Sequence, residues 1–224
     1  MSSNLKDYAF FDLEITDSGM IREFGTLLNG SQFHGKKVNA QSVEEMGNFI
    51  SNAKVVVGHN IIAHDLEHIG NLDPRNPLSS KPVLDTLRLS PICFPENPYH
   101  KLVKGYKLEG DSRSDPIKDC ELAHALLNDE INALSRLNIK HPELASGYRK
   151  ILSETENQLE KEGLDIFFDE IGVKKLTKDE DLKEILKKYL HGKICEQAFL
   201  SLLGDDLFKK DYHSYLLSWL LVAG

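Results

Sequence analysis

The sequence predicts an α/β fold in which a mixed five-stranded sheet with flanking helices is followed by an all-helical subdomain. Up to about residue 137, short apolar runs typical of strands are separated by segments with helical periodicity. After residue 138 every credible segment is helical, and no strand pattern returns. We therefore divide the chain into an α/β domain, 1–137, and a helical subdomain, 138–224.

Apolar runs bounded by turn residues predict the strands. The first two runs are joined by Asp17-Ser18-Gly19, a combination typical of a tight hairpin turn. Gly30 and Gly35 punctuate the more polar third run. The predicted strands cover 8–16, 20–28, 31–38, 54–57 and 83–87.

Helix-start signals place the helices of the first domain. Ser42 and Glu45 have the spacing of a capping box, and Pro116 suits the first position of a long helix. The proline-rich segment 91–98 predicts a loop. The predicted helices cover 42–52, 61–69 and 116–137.

The helical subdomain shows one further start signal and one stop signal. Thr177 and Glu180 have capping-box spacing, and Gly192 suits the end of the helix that they begin. The predicted helices cover 142–160, 163–172, 178–191, 194–203 and 209–222.

Composition excludes several classes of protein. Of 224 residues, 41% are hydrophobic and 28% are charged, as in ordinary globular domains, and no apolar run is long enough to span a bilayer. The three cysteines lack CxxC spacing, so we expect a reduced, cytoplasmic setting and no membrane partner. The net charge of −8 argues against non-specific coating of nucleic acid, although bound cations would reverse the local sign.

Four acids lie in or beside apolar runs of the first domain: Asp12, Glu14, Asp65 and Asp119. Burying an unpaired carboxylate costs several kcal/mol or more, so such groups are normally protonated, paired or bound to metal. Asp12 and Glu14 are two residues apart on a predicted strand and therefore share a face, about 7 Å apart. If the four converge, they form an oxygen-lined site suited to Mg²⁺ or Mn²⁺, which indicates a metal-dependent phosphodiesterase.

The order and spacing of these acids resemble the motifs of the DEDD (DnaQ-like) 3′–5′ exonuclease superfamily, which has a ribonuclease H-like fold. FDLE, with Asp12 and Glu14, is similar to the first motif. GHNIIAHDLEHI is similar to the second, with Asp65 as its acid and His64 where an aromatic residue is usual. DCELAHALL, which begins at Asp119, resembles the last motif, and PVLDTLRLS resembles the strand between the second and third motifs.

The resemblance implies hydrolysis of phosphodiester bonds by two Mg²⁺ or Mn²⁺ ions. Asp12 would bridge the ions, Glu14 and Asp119 would hold the one that activates water, and Asp65 would act on the second site or through water. The family places a general base, His or Tyr, five or four residues before the last acid. Those positions are Ser114 and Asp115 in this chain.

Two residues are candidates for the missing base. Asp115 could act as the base or as an outer ligand, although a carboxylate beside other carboxylates is disfavoured by their like charge. His100 lies in a predicted loop that could fold back over the site.

Basic and aromatic residues alternate between 99 and 118, a pattern that suits the phosphates and bases of a single strand. We take Lys101, Lys104 and Tyr106 as candidate substrate-binding residues, with the 3′ end of single-stranded DNA or RNA as the partner. A solvated lysine-rich loop explains the same pattern equally well. Asn60 is a further substrate-binding candidate, although such a residue more commonly orients a turn.

Three further interpretations of the sequence stay open, of which a helicase fusion is compatible with an active exonuclease. PYHKL and LDTLRLSP resemble segments of exonuclease domains fused to RecQ-type helicases. This resemblance implies a helicase domain in the same longer chain. The apolar ending Leu-Leu-Val-Ala-Gly suits that expectation. The missing base favours a catalytically weakened module that binds nucleic acid in such an assembly. His64 and His68, at i and i+4, could instead bind zinc, but the zincin order needs Glu where Asp65 stands.

Overall fold

The computed structural model describes residues 5–97, 100, 102 and 115–192. It has the predicted α/β architecture, a five-stranded mixed sheet with the strand order β3-β2-β1-β4-β5 and flanking helices. The first three strands form an antiparallel meander, and β4 and β5 run parallel to β1. The strands are β1 (Tyr8–Ile15), β2 (Ile21–Leu28), β3 (Ser31–Gly35), β4 (Val55–Gly58) and β5 (Val83–Asp85).

Helices make up the regular structure in the rest of the described chain, apart from short 3₁₀ turns at Leu5–Asp7 and Pro77–Ser80. No helix in the described ranges is both long and apolar enough to cross a membrane. The predicted helices at 194–203 and 209–222 lie outside the described residues. The helices are α1 (Ala40–Phe49), α2 (Asp65–Leu72), α3 (Thr86–Cys93), α4 (Pro116–Lys140), α5 (Pro142–Leu152), α6 (Gln158–Glu170) and α7 (Asp179–Leu190).

Both predicted capping boxes were wrong in their residues. The cap of α1 is Asn39, whose side chain accepts the Ser42 N–H at 3.0 Å while the Ser42 hydroxyl accepts the Asn39 N–H at 3.0 Å. Helix α7 has Lys178 at its N-cap, without a side-chain cap bond. Its predicted end is confirmed, because Gly192 takes a φ of 80°, which favours glycine after a helix.

One helix prediction and one loop prediction were wrong, each where one local signal was outweighed by another. The predicted helix 142–160 is interrupted because Asn157 caps α6, accepting the N–H groups of Leu159 and Glu160. The predicted loop after Pro91 instead belongs partly to α3, which contains that proline and buries Leu89 completely.

The chain divides into two compact units. The first contains the described residues within 1–87 and 101–128, and the second those within 88–100 and 129–192. The sequence-based boundary after residue 137 and this division both fall inside α4, so the boundary stays a prediction.

The core of the first unit forms around β1 and β4, whose apolar side chains are almost entirely buried. In the second unit, the buried Arg149 holds α5 to α6 through ion pairs with Asp165 at 2.9 Å and Asp169 at 2.6 Å. It also donates to the carbonyl oxygen of Val173 at 2.7 Å. A buried guanidinium is tolerated only with such partners.

Helix α4 begins directly against the sheet. A Cβ atom on Gly25 of β2 would lie 2.7 Å from the carbonyl carbon of Pro116, a backbone atom that cannot swing away. One turn later the thiol of Cys120 lies 3.4 Å from the carbonyl oxygens of Phe10 and Gly25. The missing side chain at Gly25 therefore lets the first turns of α4 approach β1 and β2 closely.

We expect Gly25→Ala to lower the free energy of unfolding by about 1–3 kcal/mol, because overpacking forces the backbone of α4 away from the sheet. Urea denaturation measures this change. The matched control is Gly70→Ala in α2, where an added Cβ meets nothing within 4 Å. That variant should be neutral or more stable by about 0.5–1 kcal/mol, and an equal loss in both variants would contradict the close approach.

Candidate functional site

The structure brings three of the predicted acids together at one end of β1. Asp12 and Glu14 lie on the same face of the strand, and Asp119 lies in the first turn of α4. One carboxylate oxygen from each of the three lies within 4.8 Å of the other two. Asp119 is buried, whereas Asp12 and Glu14 are half-buried, so the group is open on the strand side. This oxygen-donor set fits a hard divalent cation.

Local structure orients each of these acids. The pairing of β1 with β2 shifts register between Glu14 and Ile15, so the strand is irregular just beyond the second acid. Asp119 is favoured where it stands because a carboxylate in the first turn complements the positive end of a helix.

Asp65 lies outside this group of three and is tied to the strand that carries two of them. It is 2% exposed, and its Oδ1 accepts the backbone N–H of Leu13 at 2.9 Å. Leu13 stands between Asp12 and Glu14, so this bond fixes the backbone between two candidate ligands. The predicted action of Asp65 on a second ion or through water stays a prediction.

His64 places an imidazole beside the acids. Its Nδ1 lies 3.5 Å from the Oδ2 of Asp65. The hydrogen bond to Asp65, with the charges of Asp65 and Glu14, raises the pKa of His64, while burial raises the pKa of Asp65. The imidazole therefore keeps its proton to a higher pH than a free histidine.

Asp85 holds the turn that leads to Asp65, a role that the sequence did not indicate. Asp85, at the end of β5, accepts the backbone N–H groups of Asn60 at 2.8 Å, Ile62 at 3.3 Å and Leu87 at 3.0 Å. Asn60 has a φ of 65°, a left-handed conformation that asparagine tolerates better than most residues. This turn geometry explains Asn60 without a ligand, and its substrate-binding role stays a prediction. The sequence signal for Asp85 was an acid ending an apolar strand.

Asp115, one of the two candidates for the base, begins α4. Its carboxylate accepts the backbone N–H of Ile117 at 3.1 Å, in the manner of a helix cap. It is not one of the three converging acids. Ser114 lies outside the described residues.

The remaining predicted site residues stay predictions. His100 belongs to the second unit, and burial lowers its pKa. Lys101, Lys104 and Tyr106 lie outside the described residues. Within the described chain, His64 and His68 contact each other edge to face, with ring centroids 4.9 Å apart, but join no group of three metal-type ligands.

The acids of the site affect the pKa of the fully buried Cys120 thiol. Burial, followed by the charges of Asp12, Asp65 and Asp119, raises the pKa of its thiol well above the usual value. The thiol therefore stays protonated, which argues against a role as nucleophile.

In comparisons with known proteins, no family model, no curated protein and no solved structure matches this chain. The function is therefore inferred from the geometry of the acids.

We expect Asp65→Ala to lower the free energy of unfolding by about 1–3 kcal/mol, because it leaves the buried N–H of Leu13 without an acceptor. Asp65→Asn retains an oxygen at that position and should lose less. Urea denaturation in the presence of EDTA measures both variants. Equal stability of Asp65→Ala and the unchanged protein would show that the bond to Leu13 does not hold the strand.

Proposed function

We propose that this chain is a Mg²⁺- or Mn²⁺-dependent 3′–5′ exonuclease with a ribonuclease H-like domain that hydrolyses phosphodiester bonds of DNA or RNA. The observation that carries the proposal is the convergence of Asp12, Glu14 and Asp119, whose oxygens lie within 4.8 Å of one another. Three like charges this close repel each other unless a cation or a proton compensates them. Carboxylate oxygens are the donors that Mg²⁺ and Mn²⁺ prefer.

The residues of the site have distinct roles in this proposal. Asp12, Glu14 and Asp119 would hold the metal, and Asp65 fixes the backbone of β1 between two of them through its bond to Leu13. The ions, when bound, stabilise charge on the attacking and leaving oxygens of an in-line displacement.

The proposed substrate is the 3′ end of a single strand. The sequence resemblance supports a helicase domain in a longer chain as a partner. The cysteine pattern supports a cytoplasmic location.

A second candidate function is a catalytically weakened module that binds single-stranded nucleic acid within a helicase or repair assembly. The capping bond from Ile117 to the Asp115 carboxylate, at 3.1 Å, favours it, because the acid at the position of the family's base is already engaged. A positioned base typically contributes about 10²–10⁴-fold to the rate.

The deciding experiment compares 3′-labelled and 5′-labelled single-stranded DNA and RNA, each with Mg²⁺, Mn²⁺ or EDTA. We expect stepwise shortening from the 3′ end that EDTA abolishes. Asp12→Ala and Asp119→Ala should lower the rate at least about a hundredfold, because metal ions supply several kcal/mol of transition-state stabilisation.

Asp17→Ala is the matched control, since it removes an exposed acid of the β1–β2 turn and should leave the rate unchanged. Full activity in Asp12→Ala would refute the exonuclease assignment. Binding of the strand without cleavage under either metal would favour the weakened module.

A further inference from the structure

A further carboxylate shares the face of the sheet that carries Asp12 and Glu14. In the antiparallel pairing of β1 with β2, Glu23 stands directly opposite Glu14, and Gly25 stands opposite Asp12. Directly opposed residues project from the same face, with Cβ atoms about 4.5–5.5 Å apart. Glu23 therefore lies on the face that carries Asp12 and Glu14. Like charges in this position destabilise a sheet, so the pair calls for an explanation.

The carboxylate of Glu23 is held in place at both oxygens. Its Oε1 accepts from the Nε of Arg22 at 3.0 Å and lies 2.9 Å from an Nη of the same guanidinium. Its Oε2 lies 2.8 Å from the Nε2 of His34. His34 belongs to β3 and pairs with Gly25 of β2. The Glu23 side chain is only 22% exposed. Two neighbours thus fix its charge in position.

We propose that Glu23, held by Arg22 and His34, is a positioning residue that strengthens divalent-cation binding by Asp12, Glu14 and Asp119. The inference rests on the proposed function, since it assumes that those three acids hold a cation. The Glu23 carboxylate compensates the positive charge of the Arg22 guanidinium, which would otherwise repel a cation held by the neighbouring Glu14.

An alternative explanation is that Glu23, Arg22 and His34 form an ordinary ion pair on the surface of the sheet, which would contribute little. The two explanations predict opposite effects of removing the charge. An ion pair that only supports the fold loses stability without its carboxylate, whether or not metal is present. If the carboxylate instead opposes Glu14, its removal leaves the metal-free protein as stable as before, or more stable, and weakens cation binding.

The test is calorimetric titration of the full chain with Mn²⁺, comparing the unchanged protein with Glu23→Gln. We expect a loss of about tenfold, the effect of one unit charge several ångströms from a divalent cation. The control Asp7→Asn removes one charge from an ion pair with Lys54, 2.6 Å long, at the other end of β1. It should leave Mn²⁺ affinity unchanged. Glu23→Asp keeps the charge and should bind better than Glu23→Gln.

Urea denaturation of Glu23→Gln in EDTA supplies the second readout, with an expected midpoint equal to or above that of the unchanged protein. Unchanged Mn²⁺ affinity in Glu23→Gln, or a lower midpoint in EDTA, overturns the role of Glu23. Asp12→Ala separates the two proposals. If the unchanged protein binds no Mn²⁺, or if Asp12→Ala binds it equally well, the metal centre itself is refuted and the role of Glu23 falls with it.

Discussion

The close packing of α4 on the sheet at Gly25 is the constraint on which the first unit depends. Because Gly25 has no side chain, the backbone of Pro116 rests directly on β2, and a Cβ would lie 2.7 Å from it. Cys120 then reaches the carbonyl oxygens of Phe10 and Gly25. Asp119 precedes Cys120 and is thereby carried to Asp12, although the two are far apart in the sequence. The rigidity of the site is therefore set by the packing of α4 against the sheet.

Bringing acids together on a packed core opposes folding. Burial raises the pKa of Asp65, and the charges of the site further raise the pKa of the Cys120 thiol. Both shifts mean that negative charge at this end of β1 is less favourable than in water. The buried strands β1 and β4 supply the apolar stabilisation that offsets this penalty. Proteins commonly retain such unfavourable electrostatics where binding relieves them.

The sequence predicted the parts of the site that depend on local periodicity. The alternation of a strand placed Asp12 and Glu14 on one face, and the proline at the start of α4 placed Asp119 in its first turn. The bond from Leu13 to Asp65 could not be predicted, because it depends on how α2 docks against β1. The pairing of Glu14 with Glu23 could not be predicted either, since alternation fixes the face of a residue but not its partner across the sheet.

Acids at the ends of apolar runs look alike in the sequence, and only the structure distinguishes their roles. Asp85 accepts N–H groups from three residues, Asp65 accepts one from β1, and Asp115 accepts one from the helix that it begins. Such bonds stabilise a carboxylate's charge without a cation, so these acids maintain turns, strands and helix starts. Asp12, Glu14 and Asp119 each bring a carboxylate oxygen within 4.8 Å of the other two. The convergence of the carboxylates, rather than their burial, therefore distinguishes the candidate ligands from the acids that support them.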